Sequence, residues 1–317
     1  MMKIYDKKTE TMSRRSMAAL QLKRLKEIVK YAYDRVPFYR KKYDEAGVKP
    51  SDIKTLEDIR KLPFVTKSDL RDNYPYGLLA VPVSDLARIH ASSGTSGKPT
   101  VVAYTKEDME DWTECVARLV VAAGGRSDDI VQICFGYGLF TGALGLHQGW
   151  ERIGAAVIPA STGNSERQIM LMKDLGATAL VATPSYALHL AEVMEKMGIS
   201  PDEMKLRVGM FGSEASSEEM HREIAEKLRL FPTDNYGLSE LIGPGVSGEC
   251  EYKCGMHINE DYFYPEIIDP TTLAPTDGSD YGELVLTSLT KKSMPMIRYR
   301  TKDITKIDYS PCKCGRT

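Results

Sequence analysis

The stretch ATALVATPSYALHLAEVMEKMGISPDEMKLRVGMFGSEA, residues 177–215, predicts a strand, a helix and a second strand in succession. ATALVAT is a short apolar run typical of a buried strand, YALHLAEVMEKMG has apolar residues at helical spacing, and LRVGMFGSEA is a strand that enters a turn. A helix between two strands favours a parallel sheet, because parallel neighbours need a long crossover connection.

The same alternation continues on both sides, which predicts an α/β core over residues 91–245. Upstream lie a helix from Glu107 to Ala123, the strands IVQICF and AAVIPA, and the helix ERQIMLMKDLG; downstream lies the helix SEEMHREIAEKLRL. Over residues 246–317 the pattern changes to FYPEIIDP, GELVLTSLT and MIRYRTKDIT, which predicts a smaller β-rich subdomain, antiparallel or barrel-like.

Residues 1–90 are predicted to be a helical segment of the same large domain. MAALQLKRLKEIVKYAY has helical periodicity, and Pro37 ends that helix. Short helices broken by prolines follow as far as residue 80, with Ser51 and Thr66 as N-caps.

The composition excludes several classes of partner. The net charge of −2 over 317 residues gives no electrostatic argument for a nucleic-acid or membrane partner. The polar N-terminus lacks the apolar core of a signal peptide, and no apolar run is long enough for a membrane span, so we expect a cytoplasmic protein. Six cysteines in a reducing compartment suggest metal binding before disulfides.

The loop SSGTSGKPT, residues 92–100, lies between the predicted strands RIHAS and TVVAYT. Its glycines let backbone N–H groups turn inward, its hydroxyls add donors and Lys98 adds a positive charge, a combination that suits a polyphosphate. It is not a Walker A loop, because Pro99 follows the lysine and Ser92 stands where the first glycine is required. Taken alone, the loop is equally compatible with a solvated glycine turn in a hairpin.

Three further stretches follow in order, GSEAS at 212–216, DNYGLSE at 234–240 and YRTKD at 299–303. Together with the loop they resemble the phosphate loop, the adenine-pocket segment, the YGxTE motif and the TGD motif of the adenylate-forming ligases, the acyl-CoA synthetase superfamily. Thr100 stands where that family usually has a lysine, and Lys302 where it usually has a glycine.

Within that superfamily, the chain from about residue 17 to its end resembles the phenylacetate-CoA ligases. The resemblance is carried by LQLKRLKEIVKYAYDRVPFYRKKYDEAGV, KLPFVTKSDLRDNYPYGLLAVP, RIHASSGTSGKPTVVAYT, FGYGLFTGALG and EDYFYPEIIDP. It implies the large domain of an adenylate-forming ligase, with mostly parallel sheets flanked by helices and a β-rich distal subdomain. The implied activity is ATP-dependent conversion of phenylacetate, or a related aryl acid, to an acyl-adenylate and then to the CoA thioester.

The resemblance also implies a nucleotide site, with Lys98 and Glu240 as its catalytic residues. Glu240 would bind Mg²⁺, since a hard cation prefers carboxylate oxygen, and its alternative is a solvated glutamate at a helix start. Asp303 would accept hydrogen bonds from the ribose, or would otherwise be a turn residue. The β- and γ-phosphates are assigned to Ser92, Ser93, Gly94, Thr95, Ser96, Gly97 and Lys98, and the adenine side to Gly212, Ser213, Glu214, Ala215, Asp234, Asn235, Tyr236 and Gly237.

The acid is expected to bind in an apolar cleft, which suits a phenyl ring. The residues assigned to this cleft are Tyr137, Phe140, Gly142, Ile242 and Pro244. Phe140 and Ile242 could instead be ordinary core residues.

The cysteines near residues 250 and 312 predict a structural zinc site. Cys250, His257, Cys312 and Cys314 are the expected ligands, with Cys254 as the alternative; relatives in the family with the same Cys and His pairs suggest such a site. The other interpretation is a set of free thiols. Cys115 and Cys134 are expected to be small core residues.

The predicted small-molecule partners are therefore the aryl acid, ATP, Mg²⁺ and CoA, with structural Zn²⁺, and the resemblance suggests a homodimer. The sequence ends in PCKCGRT, so we expect a fragment without the family's small C-terminal domain, which binds ATP or acyl-AMP but forms thioester weakly. Two alternatives stay open: an adenylate-forming enzyme for a different aryl or amino acid, and a non-catalytic nucleotide-binding module with structural zinc.

Overall fold

A computed structural model describes residues 4–92 and 99–317 of the chain. The α-helices in these residues are α1 (Lys7–Glu10), α2 (Arg14–Arg35), α3 (Pro37–Glu45), α4 (Lys67–Asp72), α5 (Lys106–Ala122), α6 (Gly142–Arg152), α7 (Ser165–Asp174), α8 (Pro184–Lys196) and α9 (Glu218–Leu228). The strands are β1 (Leu86–Ser92), β2 (Thr100–Thr105), β3 (Ile130–Ile133), β4 (Ala156–Ile158), β5 (Ala179–Ala182), β6 (Val208–Phe211), β7 (Phe231–Leu238), β8 (Ile242–Glu249), β9 (Met256–Ile258), β10 (Phe263–Ile268), β11 (Gly282–Ser288) and β12 (Tyr299–Thr305).

The largest sheet has seven strands in the order β4-β3-β5-β6-β7-β8-β9. The pairs from β4 to β7 are parallel, whereas β7–β8 and β8–β9 are antiparallel. Every residue of β5 and β6 is buried, which is the pattern of strands covered on both faces by helices. The predicted mostly parallel sheet is therefore confirmed, and its two antiparallel strands extend it as far as Ile258.

Helices α7, α8 and α9 pack on this sheet through a continuous apolar core. That core contains residues of β5 and β6 and the buried faces of the three helices, including Leu180, Phe211, Ile169, Leu190 and Ile224. Cys134 belongs to the same core, as the sequence predicted.

Among the described residues, one compact unit consists of residues 4–10, Trp112–Ile258 and Cys312–Cys314, and it contains the seven-stranded sheet. Its segment of α5 lies close to α6, because Gly145 leaves room for the ring of Trp112: a Cβ on this glycine would lie 2.5 Å from the ring. The indole Nε1 of Trp112 donates a hydrogen bond of 2.6 Å to the carbonyl of Pro244.

The other compact unit consists of Thr11–Asp111 without residues 93–98, together with Asn259–Pro311 and Gly315–Thr317. It contains the β1–β2 hairpin and a three-stranded antiparallel sheet in the order β10-β11-β12. The predicted antiparallel arrangement of the last strands is confirmed. Buried in this unit, Arg298 donates to both carboxylate oxygens of Glu266, at 2.9 and 3.0 Å. Burial outweighs this ion pair and raises the pKa of Glu266.

The helical N-terminal segment also follows the prediction, with one exception at its caps. Thr66 is the N-cap of α4 and forms a capping box with Asp69. Ser51 is not a cap, because the short 3₁₀ turn Pro50–Asp52 begins one residue earlier and Lys49 is its N-cap. Proline at the first helical position, where its missing N–H costs nothing, explains the shift. Within the described part of the chain, every helix is too short or too polar to span a bilayer.

Candidate nucleotide, acid and metal sites

The strands on either side of the predicted phosphate loop form an antiparallel hairpin in which Ser92 pairs with Thr100. Ser93, Gly94, Thr95, Ser96, Gly97 and Lys98 lie outside the described residues. The hydroxyl oxygens of Ser92 and Thr100 are buried, and neither has a hydrogen-bond partner within the described residues. Of these two residues, only Ser92 was predicted to contact phosphate, and its hydroxyl has a donor that could serve an anionic oxygen; the phosphate role stays a prediction.

Asp303 lies in a bulge of the β11–β12 pair. Glu283 pairs with Ile304 and Val285 pairs with Arg300, so residues 301–303 stand opposite Leu284 alone. Thr301 donates 2.8 Å to the carbonyl of Leu284 and accepts the N–H of Asp303 at 3.0 Å. The bulge leaves Asp303 exposed, so its carboxylate is accessible to a ligand.

The bulge also explains why the TGD motif usually has a glycine at the position of Lys302. Lys302 has a φ of +71°, in the left-handed region that side chains other than glycine rarely adopt.

The segment Gly212–Ala215 follows β6 directly and lies beside β7. Gly212 has no space for a side chain, because a Cβ would lie 2.7 Å from the carbonyl oxygen of Asn235. The amide of Asn235 donates 2.7 Å to the carbonyl of Phe211, which fixes the start of the segment. Glu214 is exposed and accepts the N–H of Ser185 at 2.7 Å, at the N-terminus of α8. The predicted adenine segment is thus anchored at its start by Asn235 of β7 and at Glu214 by the N-terminus of α8.

Glu240 lies in the tight turn of the β7–β8 hairpin. Tyr236 pairs with Ser247 and Leu238 pairs with Ile242, so the turn is only three residues long. The Glu240 side chain is buried, with 5% of the residue exposed. The alternative of a solvated glutamate at a helix start is therefore wrong, because this glutamate is buried and lies between two strands.

The segment predicted to bind the acid precedes α6. The hydroxyl of Tyr137 lies 3.0 Å from Nδ1 of His147, and Nε2 of the same ring lies 3.0 Å from the carboxylate of Glu151. Burial, and then the charge of Glu151, raise the pKa of Tyr137. This tyrosine therefore presents a neutral hydroxyl of fixed orientation.

The two residues that could have been ordinary core differ from each other. Phe140 is 43% exposed, whereas Ile242 is 6% exposed. The Phe140 ring lies over Gly142, where a Cβ would come within 2.7 Å of it. Pro244 is buried. Exposure excludes Phe140 from the core, and the binding roles of these residues remain predictions.

A second polar network surrounds Asp234, at the point where β7 approaches the adenine segment. Its two carboxylate oxygens accept hydrogen bonds from Ser216 at 2.7 Å and from Nε2 of His221 at 3.0 Å. Burial by itself would raise the pKa of Asp234, but these two hydrogen bonds and the nearby Lys253 lower it overall. Glu249 accepts the backbone N–H of Asp234 at 2.8 Å.

The predicted zinc ligands lie together. The ligand atoms of Cys250, His257, Cys312 and Cys314 are all within 4.8 Å of one another. Cys250 Sγ lies 3.7 Å from Cys312 Sγ, and Cys314 Sγ lies 3.4 Å from His257 Nε2. Burial raises the pKa of Cys250 to about 12, and the neighbouring Cys314 adds to the rise. Cys254 is exposed and lies outside this group.

Sequence reasoning gave no role to His147, Glu151, His221 and Lys253. The four-residue spacing of His147 and Glu151 on one helix could have indicated that they interact. For Lys253 and His221 the sequence contains no comparable signal, because they meet only when β8 and α9 fold onto β7.

Comparisons with known proteins agree with this arrangement. The family described as AMP-binding enzyme matches residues 7–290. The phenylacetate-coenzyme A ligase of Thermus thermophilus is 50% identical over 315 residues, which are 99% of this chain and 71% of that protein. The ligase of the same name from Escherichia coli is 50% identical over 94% of this chain and 69% of its own length.

Solved structures give the same result. The crystal structure of 2-hydroxyisobutyryl-CoA ligase in complex with 2-HIB-AMP and CoA superposes with a TM-score of 0.95 at 31% identity, covering 100% of this chain and 69% of that one. The fold class predicted from the sequence is confirmed by this match and by the sheet topology. This chain therefore belongs to the AMP-binding enzyme family, among its phenylacetate-coenzyme A ligases.

Proposed function

We propose that this chain catalyses ATP-dependent activation of phenylacetate, or a closely related aryl acid, to an acyl-adenylate and then to the CoA thioester. The observation that carries the proposal is the β7–β8 hairpin of a chain in this family. Its turn carries the buried Glu240, which follows the strand of Tyr236, predicted to bind the nucleotide, and precedes the strand that begins at Ile242, predicted to line the acid cleft.

The chemistry requires two successive displacements. First a carboxylate oxygen of the acid forms a bond to the α-phosphorus of ATP. The bond from this phosphorus to the bridging oxygen of the β-phosphate breaks, and pyrophosphate leaves with that oxygen. Then the sulfur of CoA attacks the acyl carbonyl, and AMP leaves as the thioester forms. In both steps the protein has to stabilise the negative charge on the phosphate and acyl oxygens. Hydrogen-bond donors that are already oriented do this with little reorganisation energy.

The residues present divide this work between them. The hydroxyls of Ser92 and Thr100 are available to phosphate oxygens at the base of the loop. Tyr236 would lie against the adenine, and the exposed Asp303 would accept hydrogen bonds from the ribose. Phe140, which is exposed, and Tyr137, whose hydroxyl is hydrogen-bonded, would line the acid cleft.

Glu240 is the residue proposed to hold Mg²⁺. A carboxylate is an oxygen ligand that this cation prefers, and the Glu240 side chain is buried in the turn between two strands of the large sheet. When bound, Mg²⁺ supplies positive charge to the phosphate oxygens. A hydroxyl contact of 3.1 Å between Ser239 and Thr141 connects the Glu240 turn to the start of α6.

We further propose that the Cys250 group holds structural zinc. Zinc–sulfur bonds of about 2.3 Å in a tetrahedron place the ligand atoms roughly 3.8 Å apart. The observed sulfur–sulfur and sulfur–nitrogen distances of 3.7 and 3.4 Å are compatible with that geometry, and all four ligand atoms lie within 4.8 Å of one another. Four protein ligands close the coordination shell, so the metal has a structural role and no position for substrate.

Acid-dependent exchange of pyrophosphate into ATP tests the proposed reaction. We expect exchange with phenylacetate that exceeds exchange with benzoate or free amino acids, and its loss in Glu240→Gln. The exposed Glu251→Gln, on the loop after β8, is the matched control and should exchange normally. Preference for an amino acid would indicate a different adenylate-forming enzyme. ATP binding without exchange for any acid would indicate a nucleotide-binding module.

A further inference from the structure

The polar network around Asp234 has geometry that the proposed reaction does not use directly. Asp234 belongs to the motif assigned to the nucleotide, yet both of its carboxylate oxygens already accept hydrogen bonds from Ser216 and His221. Ser216 is the last residue of the stretch GSEAS that resembles the adenine-pocket segment, and His221 lies on α9. The carboxylate therefore joins the end of the adenine segment to β7.

Lys253 fixes the orientation of the histidine in this network. Its Nζ lies 2.6 Å from Nδ1 of His221. An ammonium group can only donate, so Nδ1 must accept, and the ring proton must be on Nε2, where it is donated to Asp234. The lysine thereby selects the histidine tautomer that Asp234 requires.

One positive charge, the ammonium of Lys253, already lies among the carboxylates of this network. His221, Asp234 and Glu249 have donor atoms close enough to hold a cation. The ammonium of Lys253 already lies 3.6 Å from the Glu249 carboxylate and touches the histidine. The side chains of Lys253 and Glu249 are only 29% and 13% exposed, so water only partly screens the attraction between their charges.

Lys253 reaches the network from the loop that also carries a proposed zinc ligand. Its backbone N–H donates 3.0 Å to the carbonyl of Cys250, and its φ is +50°. The turn that carries Cys250, a proposed zinc ligand, is thus also the turn that presents Lys253 to His221.

We propose that Lys253 and His221 are positioning residues for the nucleotide site. By fixing the carboxylate of Asp234, they hold the end of the adenine segment against the middle of β7, two residues before Tyr236. This inference rests on the proposed function, because it takes the adenine segment and Tyr236 as the nucleotide-binding surface.

The affinity of the full chain for MgATP, measured by isothermal titration calorimetry, tests this role. We expect Lys253→Met to bind MgATP about tenfold more weakly than the wild type, since the histidine loses the donor that fixes it. Lys253→Arg should restore affinity to within about twofold, because a guanidinium can donate to His221 and pair with Glu249. The matched control is Glu251→Gln, on the same loop, which should bind as the wild type does.

Rescue by arginine distinguishes positioning from simple loss of structure. Wild-type affinity in Lys253→Met would overturn the proposal, as would equal weakening in the methionine and arginine variants. If Lys253→Met does not fold, Ser216→Ala removes one hydrogen bond from Asp234 at a half-buried position and should weaken binding about threefold. Unchanged binding in Ser216→Ala would then overturn it. A wild-type chain that binds no MgATP would instead refute the proposed function itself.

Discussion

Replacing Cys312 with serine tests whether the Cys250 group binds zinc. The variant removes one of the four ligands and leaves the other three in place. Purified wild-type protein should contain about one zinc per chain, measured by inductively coupled plasma mass spectrometry, and Cys312→Ser should contain far less.

The expected loss of stability follows from the length of chain that the metal closes. Cys250 and Cys312 are 62 positions apart, so a bound ion cross-links a long segment. The entropy of closing a loop of that length corresponds to about 4 kcal/mol at room temperature if the metal acts like a covalent cross-link. For a chain of 317 residues, a loss of that size should lower the unfolding temperature by roughly 6 °C.

Thermal unfolding followed by circular dichroism, with and without a chelator, measures this effect. The matched control is Cys254→Ser, because Cys254 is exposed and lies outside the ligand group. Addition of chelator should destabilise the wild type and Cys254→Ser alike but leave Cys312→Ser nearly unchanged. Loss of zinc from Cys254→Ser while Cys312→Ser keeps it would contradict the zinc assignment, as would a metal-free wild type that unfolds at the same temperature as the loaded one.

Three further predictions concern stability, each measured by chemical or thermal unfolding. Lys302→Gly should be as stable as the wild type or more stable by up to about 1 kcal/mol, since glycine tolerates the φ of +71°, whereas Lys302→Val should be less stable. Gly145→Ala should cost about 1–3 kcal/mol, because the added Cβ overlaps Trp112, while Gly138→Ala, with nothing within 4 Å, should cost far less. For Asp234 the folded state has the lower pKa, so the unfolded state binds more protons and the carboxylate stabilises the protein above the unfolded pKa. The stability difference between wild type and Asp234→Asn should therefore shrink as the pH falls below about 4, and a difference independent of pH would contradict this assignment.

The order and type of most elements could be predicted from the sequence because their signals are local. β5 and α8 show a four-residue apolar run and a helical repeat within a short window, and the structure places them where that pattern predicts. Ser51 was the wrong cap because the adjacent Pro50 sets the first turn, and this competition between two neighbouring signals is difficult to rank in advance.

The hairpin that carries Glu240 could not be predicted in the same way. DNYGLSE has no alternation that marks it as a strand, and its β-structure depends on Gly237 and Gly243 lying against the opposite strand. A Cβ on Gly237 would lie 2.7 Å from the carbonyl of Ile242. That close approach is a property of the paired strands and is invisible in either strand alone.

The sequence by itself determined the alternating α/β pattern, the family motifs and the set of cysteines and histidine that could bind a metal. Only the tertiary structure decided that Cys250, not Cys254, completes the four-ligand group, and that Lys253, His221 and Asp234 form one network. The physical reason is range: helical and strand periodicity arises between neighbouring residues, whereas a metal site or a hydrogen-bonded network needs atoms from distant segments to meet within a few ångströms. Those distances are set by how the sheet and its connections pack.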